Sequence, residues 1–373
     1  AHRGPDGRGT FLEGNVGLGH RRLAIIDLSE GGRQPMHAED GNCIVTFNGE
    51  IYNHLALRML LEKGAVMEWR GHSDTETLLA AFDAWGIEST VKQCTGMFAF
   101  AVWDRQSLTL TLGRDRMGEK PMYYGWQGRG NERVFLFGSE LKALKAHPAF
   151  QAPISRGAIC LLLRHNYIPA PYSIYEDIAK MEPGSLLSVS LAQPEPRVWK
   201  YWDTVQVALA GLASPFTGTA DEAVDELELL AADAVRQQMM ADVPLGAFLS
   251  GGIDSSTVVA LMQAQSSRPV KTFTIGFNED GYNEAVHAKA VAQHLGTDHT
   301  ELYLKPAQAM DVIPLLPGLY CEPFSDSSQI PTFLVSQLAK QHVTVSLSGD
   351  AGDELFCGYN RYQFTQSLWG KLA

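Results

Sequence analysis

Ser250-Gly251-Gly252-Ile253-Asp254-Ser255-Ser256 decides how this chain is read. The apolar run 243–249 leads into it and reads as a buried strand. The run 257–262 leads out and reads as the start of a helix. Strand, glycine-rich turn and helix together form a cradle for phosphate. The glycines let backbone approach an anion with no Cβ in the way. Exposed N–H groups and the helix dipole, equivalent to about half a positive charge, then hold it. The string lacks a Gly-Lys-Ser/Thr ending, so it is not the P-loop of kinases and GTPases. An Asp inside a phosphate loop is repulsive unless a metal lies between them, so Asp254 points to Mg²⁺ on a pyrophosphate. The plainer reading is a Ser/Gly loop capping a core helix.

Outward from this loop, strands and helices alternate. Strands are expected at 270–277, 300–304 and 343–347, and helices at 284–295 and 331–341. Such alternation argues for a parallel sheet. The last strand runs into Ser348-Gly349-Asp350-Ala351-Gly352-Asp353-Glu354-Leu355-Phe356. Ligands of open α/β sheets bind beyond the carboxyl ends of the strands, so both Ser-Gly loops should face one site. Asp350, Asp353 and Glu354 could simply begin a helix. Beside a pyrophosphate loop, three acids also make sense with Mg²⁺.

The Ser250 string resembles the pyrophosphate loop of the N-type ATP pyrophosphatases. With the seventeen-residue string from Ser346 to Tyr362 it resembles the synthetase domain of the asparagine synthetase family. The resemblance implies that Ser250, Gly251, Gly252, Asp254, Ser255 and Ser256 bind the ATP phosphates. It places Phe248 and Ile275 at adenine, Ser348 and Gly349 near ribose and phosphate, and Asp254 and Asp353 on Mg²⁺. Asp350 stands where relatives carry an acid tied to the acyl-adenylate step. Asp326, Ser327 and Ser328 fall where the acceptor is expected. Ala351 and Cys357 stand where many relatives have Gly.

The first 200 residues are rich in β signals. Expected strands are 44–47, 97–103, 108–112, 134–137 and 186–191, with a turn at Asn48-Gly49 and a hairpin around 104–107. Helices are expected at 54–63, 75–85 and 140–147. Three clusters exceed the needs of turns: His2-Arg3-Gly4-Pro5-Asp6-Gly7, His20-Arg21-Arg22-Leu23-Ala24-Ile25-Ile26-Asp27, and Phe47-Asn48-Gly49-Glu50-Ile51-Tyr52-Asn53-His54. With Ser73-Asp74-Thr75-Glu76, Gly113-Arg114-Asp115-Arg116 and Gly138-Ser139-Glu140 they resemble the class II glutamine amidotransferase domain, an Ntn-type glutaminase. The implied fold is an α+β αββα sandwich. The implied roles are Arg22 on the glutamine α-carboxylate and Leu23, Ala24, Ile25 and Ile26 as pocket backbone. Glu50 and Asp74 would take the α-ammonium. The Asn48 amide and the Gly49 N–H would form the oxyanion hole.

The family's nucleophile, a cysteine at the mature N-terminus, has no counterpart at Ala1. The sequence is therefore expected to begin downstream of it, and to stop within a helix at Ala373. As it stands, it is not expected to hydrolyse glutamine. Its 373 residues suit two domains, read as 1–200 and 219–373 with a linker at 201–218. Residues 224–239 carry a helical apolar stripe (Val224, Leu227, Leu230, Val235, Met239) read as core. A net charge of −12 argues against nucleic-acid binding. No run is long enough for a bilayer span. Five scattered cysteines fit a reducing compartment, so the chain is read as cytoplasmic.

The function these resemblances imply is ATP-driven adenylation of the aspartate β-carboxylate, then amidation with ammonia from glutamine. The cofactors are ATP and Mg²⁺; the partners are small molecules and a second copy in a homodimer. Two alternatives stay open: another acceptor carboxylate (sugar acid, peptide or β-lactam precursor) or a non-catalytic paralogue.

Overall fold

A computed structural model describes residues 3–64, 66–277 and 283–372; Ala1, His2 and Ala373, named above, lie outside them. The chain divides into two units, one of 1–217 with 316–326, the other of 218–315 with 327–373.

In the first unit β1 (Gly7–Glu13) and β2 (Val16–Arg22) form a hairpin. β3 (Met36–His37) and β4 (Cys43–Ile51) precede α1 (His54–Gly64), α2 (Asp74–Trp85) and α3 (Ile87–Gln93). β5 (Gly96–Asp104) and β6 (Thr109–Arg114) make the hairpin expected around 104–107. β7 (Tyr123–Gln127), β8 (Val134–Gly138), α4 (Leu141–Lys145) and α5 (Arg156–His165) follow. β9 (Ala179–Lys180), β10 (Ser185–Ser190), β11 (Arg197–Lys200) and α6 (Thr204–Ala213) come last.

The sheets run β11-β10-β6-β5-β4-β3 and β8-β7-β9. β5 shows why they stack. Its Phe98, Phe100 and Val102 pack with Leu57, Leu78 and Phe82 of the helices. Its alternate residues Ala99 and Ala101 pack the other way, with Leu112, Tyr124 and Trp126. Large side chains thus face the helices and alanines face the second sheet, as the two-residue period requires. Leu141 and Leu144 of α4 cover that sheet's far side against Tyr123 and Leu136. The layers are therefore αββα.

Two expectations are corrected here. Asn48-Gly49 is not a turn: β4 runs straight through it, pairing Asn48 with Ala99 and Gly49 with Phe98. A Cβ at Gly49 would lie 2.6 Å from Phe98 Cα, so the glycine answers close strand approach, not chain reversal. Pro194 and Pro196 turn the chain between β10 and β11, and residues expected as linker form α6, which starts from an Asp203 cap and buries none of its residues.

The second unit contains α7 (Ala220–Gln238), β12 (Leu245–Phe248), α8 (Ile253–Ala264), β13 (Lys271–Phe277), α9 (Ala285–Leu295), β14 (Asp298–Leu304) and α10 (Pro306–Val312). α11 (Leu316–Leu319) goes with the first unit. α12 (Gln329–Ala339), β15 (Val345–Leu347), α13 (Gly352–Phe356) and α14 (Asn360–Leu372) complete the second. α7 opens on the expected Thr219–Glu222 capping box. Its stripe is not all core, however. Val235 is buried, but Val224, Leu227 and Leu230 are exposed, because only the last turns reach the sheet.

The strands are parallel in the order β14-β13-β12-β15. The chain winds outward from β12 through β13 to β14, then returns to the other side of β12. The order thus reverses between β12 and β15, which opens a crevice beyond their carboxyl ends. There Ala351 and Cys357 adopt left-handed backbone, at φ 78° and 58°. Both are costly for a residue with a Cβ. Ala351→Gly and Cys357→Gly should each stabilise the unit by about 0.5 kcal/mol, after the extra entropy of glycine in the unfolded chain is discounted. Thermal unfolding of the two variants checks this; a lowered midpoint would refute it.

Candidate active sites

The crevice of the second unit is lined by both Ser-Gly loops. α8 begins at Ile253, so Asp254, Ser255 and Ser256 occupy its first turn rather than a loop before it. Ser255 ties the turn together: its hydroxyl accepts from Ser250 N at 3.2 Å and lies 2.9 Å from Ser250 Oγ. Ser250 Oγ in turn accepts from Gly252 N at 3.2 Å. Gly251 is left-handed at φ 80°, and a Cβ there would lie 2.7 Å from Ala288 N. The Ser256 hydroxyl is buried with no partner among the described residues, as a donor kept for a ligand would be.

The loop after β15 meets this turn directly. A Cβ at Gly349 would sit 2.6 Å from Ser255 N and 2.9 Å from Asp254 C; one at Gly352 would collide with the Asp254 carboxyl group. Asp254 and the 348–352 loop are therefore in contact, not on opposite faces of the unit. Ser348 Oγ donates to Asp350 at 2.9 Å and fixes that carboxylate. Phe248 ends β12, and Ile275 lies two residues from the end of β13, on the same carboxyl side. Among the described residues no group of three or more His, Cys, Asp or Glu side chains is placed to hold a metal. The Asp254 carboxyl group borders Gly352, whereas the Asp353 carboxyl group packs on Gly358, where a Cβ would lie 1.8 Å from its Oδ1. Carboxylate oxygens are hard donors of the kind that suit Mg²⁺.

In the first unit the candidates surround the end of β4. Glu50 and Asp74 are both buried. Asp74 follows the Ser73 cap of α2 and accepts from Ile51 N at 2.9 Å. Glu50 Oε1 has no partner among the described residues. Burial lifts the Glu50 carboxyl to about 7, and the Asp74 charge adds to the lift. Burial lifts Asp74 to about 6 against the hydrogen bonds from Ile51 and Thr75. Two carboxylates held this way, one with an open oxygen, ask for a cation. Asn48 Nδ2 donates to Ser139 Oγ at 3.2 Å.

Arg22 turns inward. It donates to the carbonyls of Ser29 at 3.1 Å, Ile26 at 3.3 Å and Asp27. As it stands it shapes the 23–29 loop, whose Ala24 N–H donates to Asp6 at 2.9 Å, while Leu23 is largely exposed. Ile25 and Ile26 are half-buried in the same loop. His20 is held neutral, pushed down to about 4 by burial and by Arg22.

Several residues turn out to have supporting roles that the sequence did not assign. Asp27 is fully buried, adopts φ 58° and accepts from Ser29 N and His72 N, each at 3.0 Å. Asp115, also fully buried, accepts from the backbone of Phe98, Met117, Glu119 and Lys120. Arg58 donates to Gly71 O and Ser73 O, both at 2.9 Å, and so sets the loop that delivers Asp74. Asp27 and Asp115 each lie two residues from a Ser or Gly, which reads equally as a turn, and Arg58, between Leu57 and Met59, carries no such signal.

Two family models match the chain, one to each part. A family model described as glutamine amidotransferase domain matches residues 1–202, and one described as asparagine synthase matches 226–373. A putative asparagine synthetase [glutamine-hydrolyzing] 2 of Methanocaldococcus jannaschii is 38% identical, over 96% of this chain and 70% of its own. Asparagine synthetase [glutamine-hydrolyzing] 1 of Bacillus subtilis is 37% identical, over 98% of this chain and 55% of its own. Asparagine synthetase B [glutamine-hydrolyzing] of Escherichia coli is 31% identical, over 96% and 59%. The chain thus spans little more than half the length of most of these relatives.

Proposed function

Since this chain belongs to the glutamine-hydrolysing asparagine synthetase family, we propose that it forms part of an ATP-dependent amide ligase acting on the β-carboxylate of aspartate. The supporting observation is the contact of two Ser-Gly loops at the switch point between β12 and β15. A carboxylate is a poor electrophile, so it must be activated before ammonia can attack. In this reading Ser250 to Ser256 grip the phosphates through backbone N–H groups and hydroxyls. Phe248 and Ile275 offer backbone to adenine, and Ser348 and Gly349 border the ribose. Asp254 and Asp353 would hold Mg²⁺, which neutralises phosphate charge. Asp350, pinned by Ser348, faces the acyl transfer.

The first unit binds glutamine. Glu50 and Asp74 take its α-ammonium, and the Asn48 amide with the Gly49 N–H takes the developing oxyanion. For Arg22 to accept the α-carboxylate it must exchange some of its backbone carbonyls for it. Five free thiols and a use of ATP support a cytoplasmic enzyme in this reading, and a homodimer is the proposed assembly. No described helix is long and apolar enough to cross a membrane. The test is pyrophosphate release by the full-length enzyme with ATP, Mg²⁺ and aspartate against a panel of other carboxylates. Release with a different carboxylate and none with aspartate would reassign the acceptor. Release with no carboxylate would overturn the reading.

A further inference from the structure

Residues 316–326 lie late in the sequence yet belong to the first unit. The chain leaves the second unit after Leu315, is held through α11 and the turn beyond it, and resumes the second unit at Ser327. One side chain does most of the holding. Glu322 is 9% exposed, and its Oε2 lies 2.5 Å from Lys180 Nζ. Its Oε1 accepts the Ile174 N–H at 2.6 Å, and its Oε2 accepts the Tyr123 hydroxyl at 3.4 Å. Lys180 is pinned in turn by donating to Ile168 O. Two backbone clasps flank the pair: Lys142 Nζ donates to Leu319 O at 2.9 Å, and Ser325 N–H donates to Asn166 O at 2.7 Å. Cys321 packs against the Tyr123 and Leu136 cluster.

The chemistry proposed above uses neither Glu322 nor Lys180. A buried ion pair is a weak source of stability, because desolvation offsets most of the attraction. What three further partners on one carboxylate and its lysine do supply is a single position for the chain that carries them. Asp326 comes one residue after the Ser325 clasp and four after Glu322, and Ser327 and Ser328 continue directly into α12.

We infer that the Lys180–Glu322 pair is a positioning device for the segment 319–326, which runs into the acceptor loop Asp326-Ser327-Ser328. The inference rests on the proposed function for its effect on the acceptor, but not for the anchoring itself. It predicts a selective defect. Loosening the anchor should weaken acceptor binding and leave ATP and glutamine binding intact.

The experiment compares Glu322→Ala, Glu322→Gln and wild type in the full-length enzyme. Hydrogen exchange is read over 319–328, and steady-state pyrophosphate release is measured with ammonia as nitrogen donor. Glu322→Ala should speed exchange of that segment at least tenfold and raise the acceptor KM by about tenfold, the cost expected of a misplaced binding loop. The KM for ATP and the Kd for glutamine should stay within about twofold. Glu322→Gln keeps an acceptor for the Ile174 N–H and should recover part of both losses. Unchanged exchange in Glu322→Ala would overturn the anchor. Faster exchange with an unchanged acceptor KM, or with all constants impaired together, would overturn the positioning role. A wild-type enzyme that releases no pyrophosphate with any carboxylate refutes the functional reading instead, and the exchange result still decides the anchor.

Discussion

Gly349→Ala should lower ATP-dependent pyrophosphate release by at least about a hundredfold while glutamine binding stays unchanged. The new methyl would sit 2.6 Å from Ser255 N, 2.9 Å from Asp254 C and 3.0 Å from Asp254 Cβ. None of these is the free end of a flexible side chain. Ser255 N belongs to the first turn of α8, and its side chain already bridges back to Ser250. The turn cannot slide aside without breaking those bonds, so the two loops must part by roughly 1 Å to restore ordinary van der Waals separation. That displacement falls on Asp254 and Asp350, which the proposed chemistry needs together. Gly370→Ala is the matched control, because its Cβ would meet nothing within 4 Å in α14. Inside a helix the added methyl should stabilise by about 1 kcal/mol and leave activity alone. Should Gly349→Ala keep more than a tenth of wild-type pyrophosphate release, the two loops do not serve one nucleotide.

The second unit was legible because its signals are local and repeated. β12 and β15 run into Ser-Gly loops, and strands and helices alternate with only short connections, so order alone argued a parallel sheet. Sequence could place both Ser-Gly loops at strand ends. It could not show that Gly349 and Gly352 lack side chains because Asp254 fills the space. In the first unit, Asn48-Gly49 carries the strongest short-range hairpin signal and is nevertheless mid-strand. What overrides the signal is β5, whose Met97 and Phe98 backbone presses on Gly49 from a strand about fifty residues away. The α7 stripe failed for a related reason. Periodicity marks which face is apolar, not how much of the helix the sheet can cover, and only Val235 and Met239 pack against it among the stripe residues named. Glu322 left no trace at all. A lone Glu before a Pro reads as surface, and its partners Tyr123, Ile174 and Lys180 are about 140 to 200 residues distant.

Glu50→Gln should weaken glutamine binding at pH 8 by about a hundredfold and at the same time stabilise the unliganded protein. The two effects have one cause. Burial, reinforced by the Asp74 charge and opposed by Lys120, raises the Glu50 carboxyl to about 7. A carboxyl raised above its unfolded value makes the fold lose stability as pH climbs from the ordinary range near 4.5 through 7. At pH 8 the buried charge therefore costs about 3 kcal/mol, which the neutral amide avoids. An arriving ammonium reverses the balance, since a charge-assisted hydrogen bond to the open Oε1 is worth about 1.5–3 kcal/mol. Binding therefore selects the ionised carboxylate. Below pH 7 it must expel a proton, and wild-type Kd should rise about tenfold per pH unit. Asp74, raised to about 6, steepens the rise below that pH, and the two acids titrate as a coupled pair. Titration calorimetry at pH 6.5, 7.0 and 8.0 in buffers of different ionisation heat reads both the Kd and the protons released. Wild type should release close to one proton at pH 6.5, and Glu50→Gln far fewer, with a flatter pH profile. A carboxylate that merely braced the fold would behave oppositely, losing thermal stability on conversion to the amide while Kd stayed put. Higher stability with poorer binding is the pair of results that a ligand-seeking Glu50 requires.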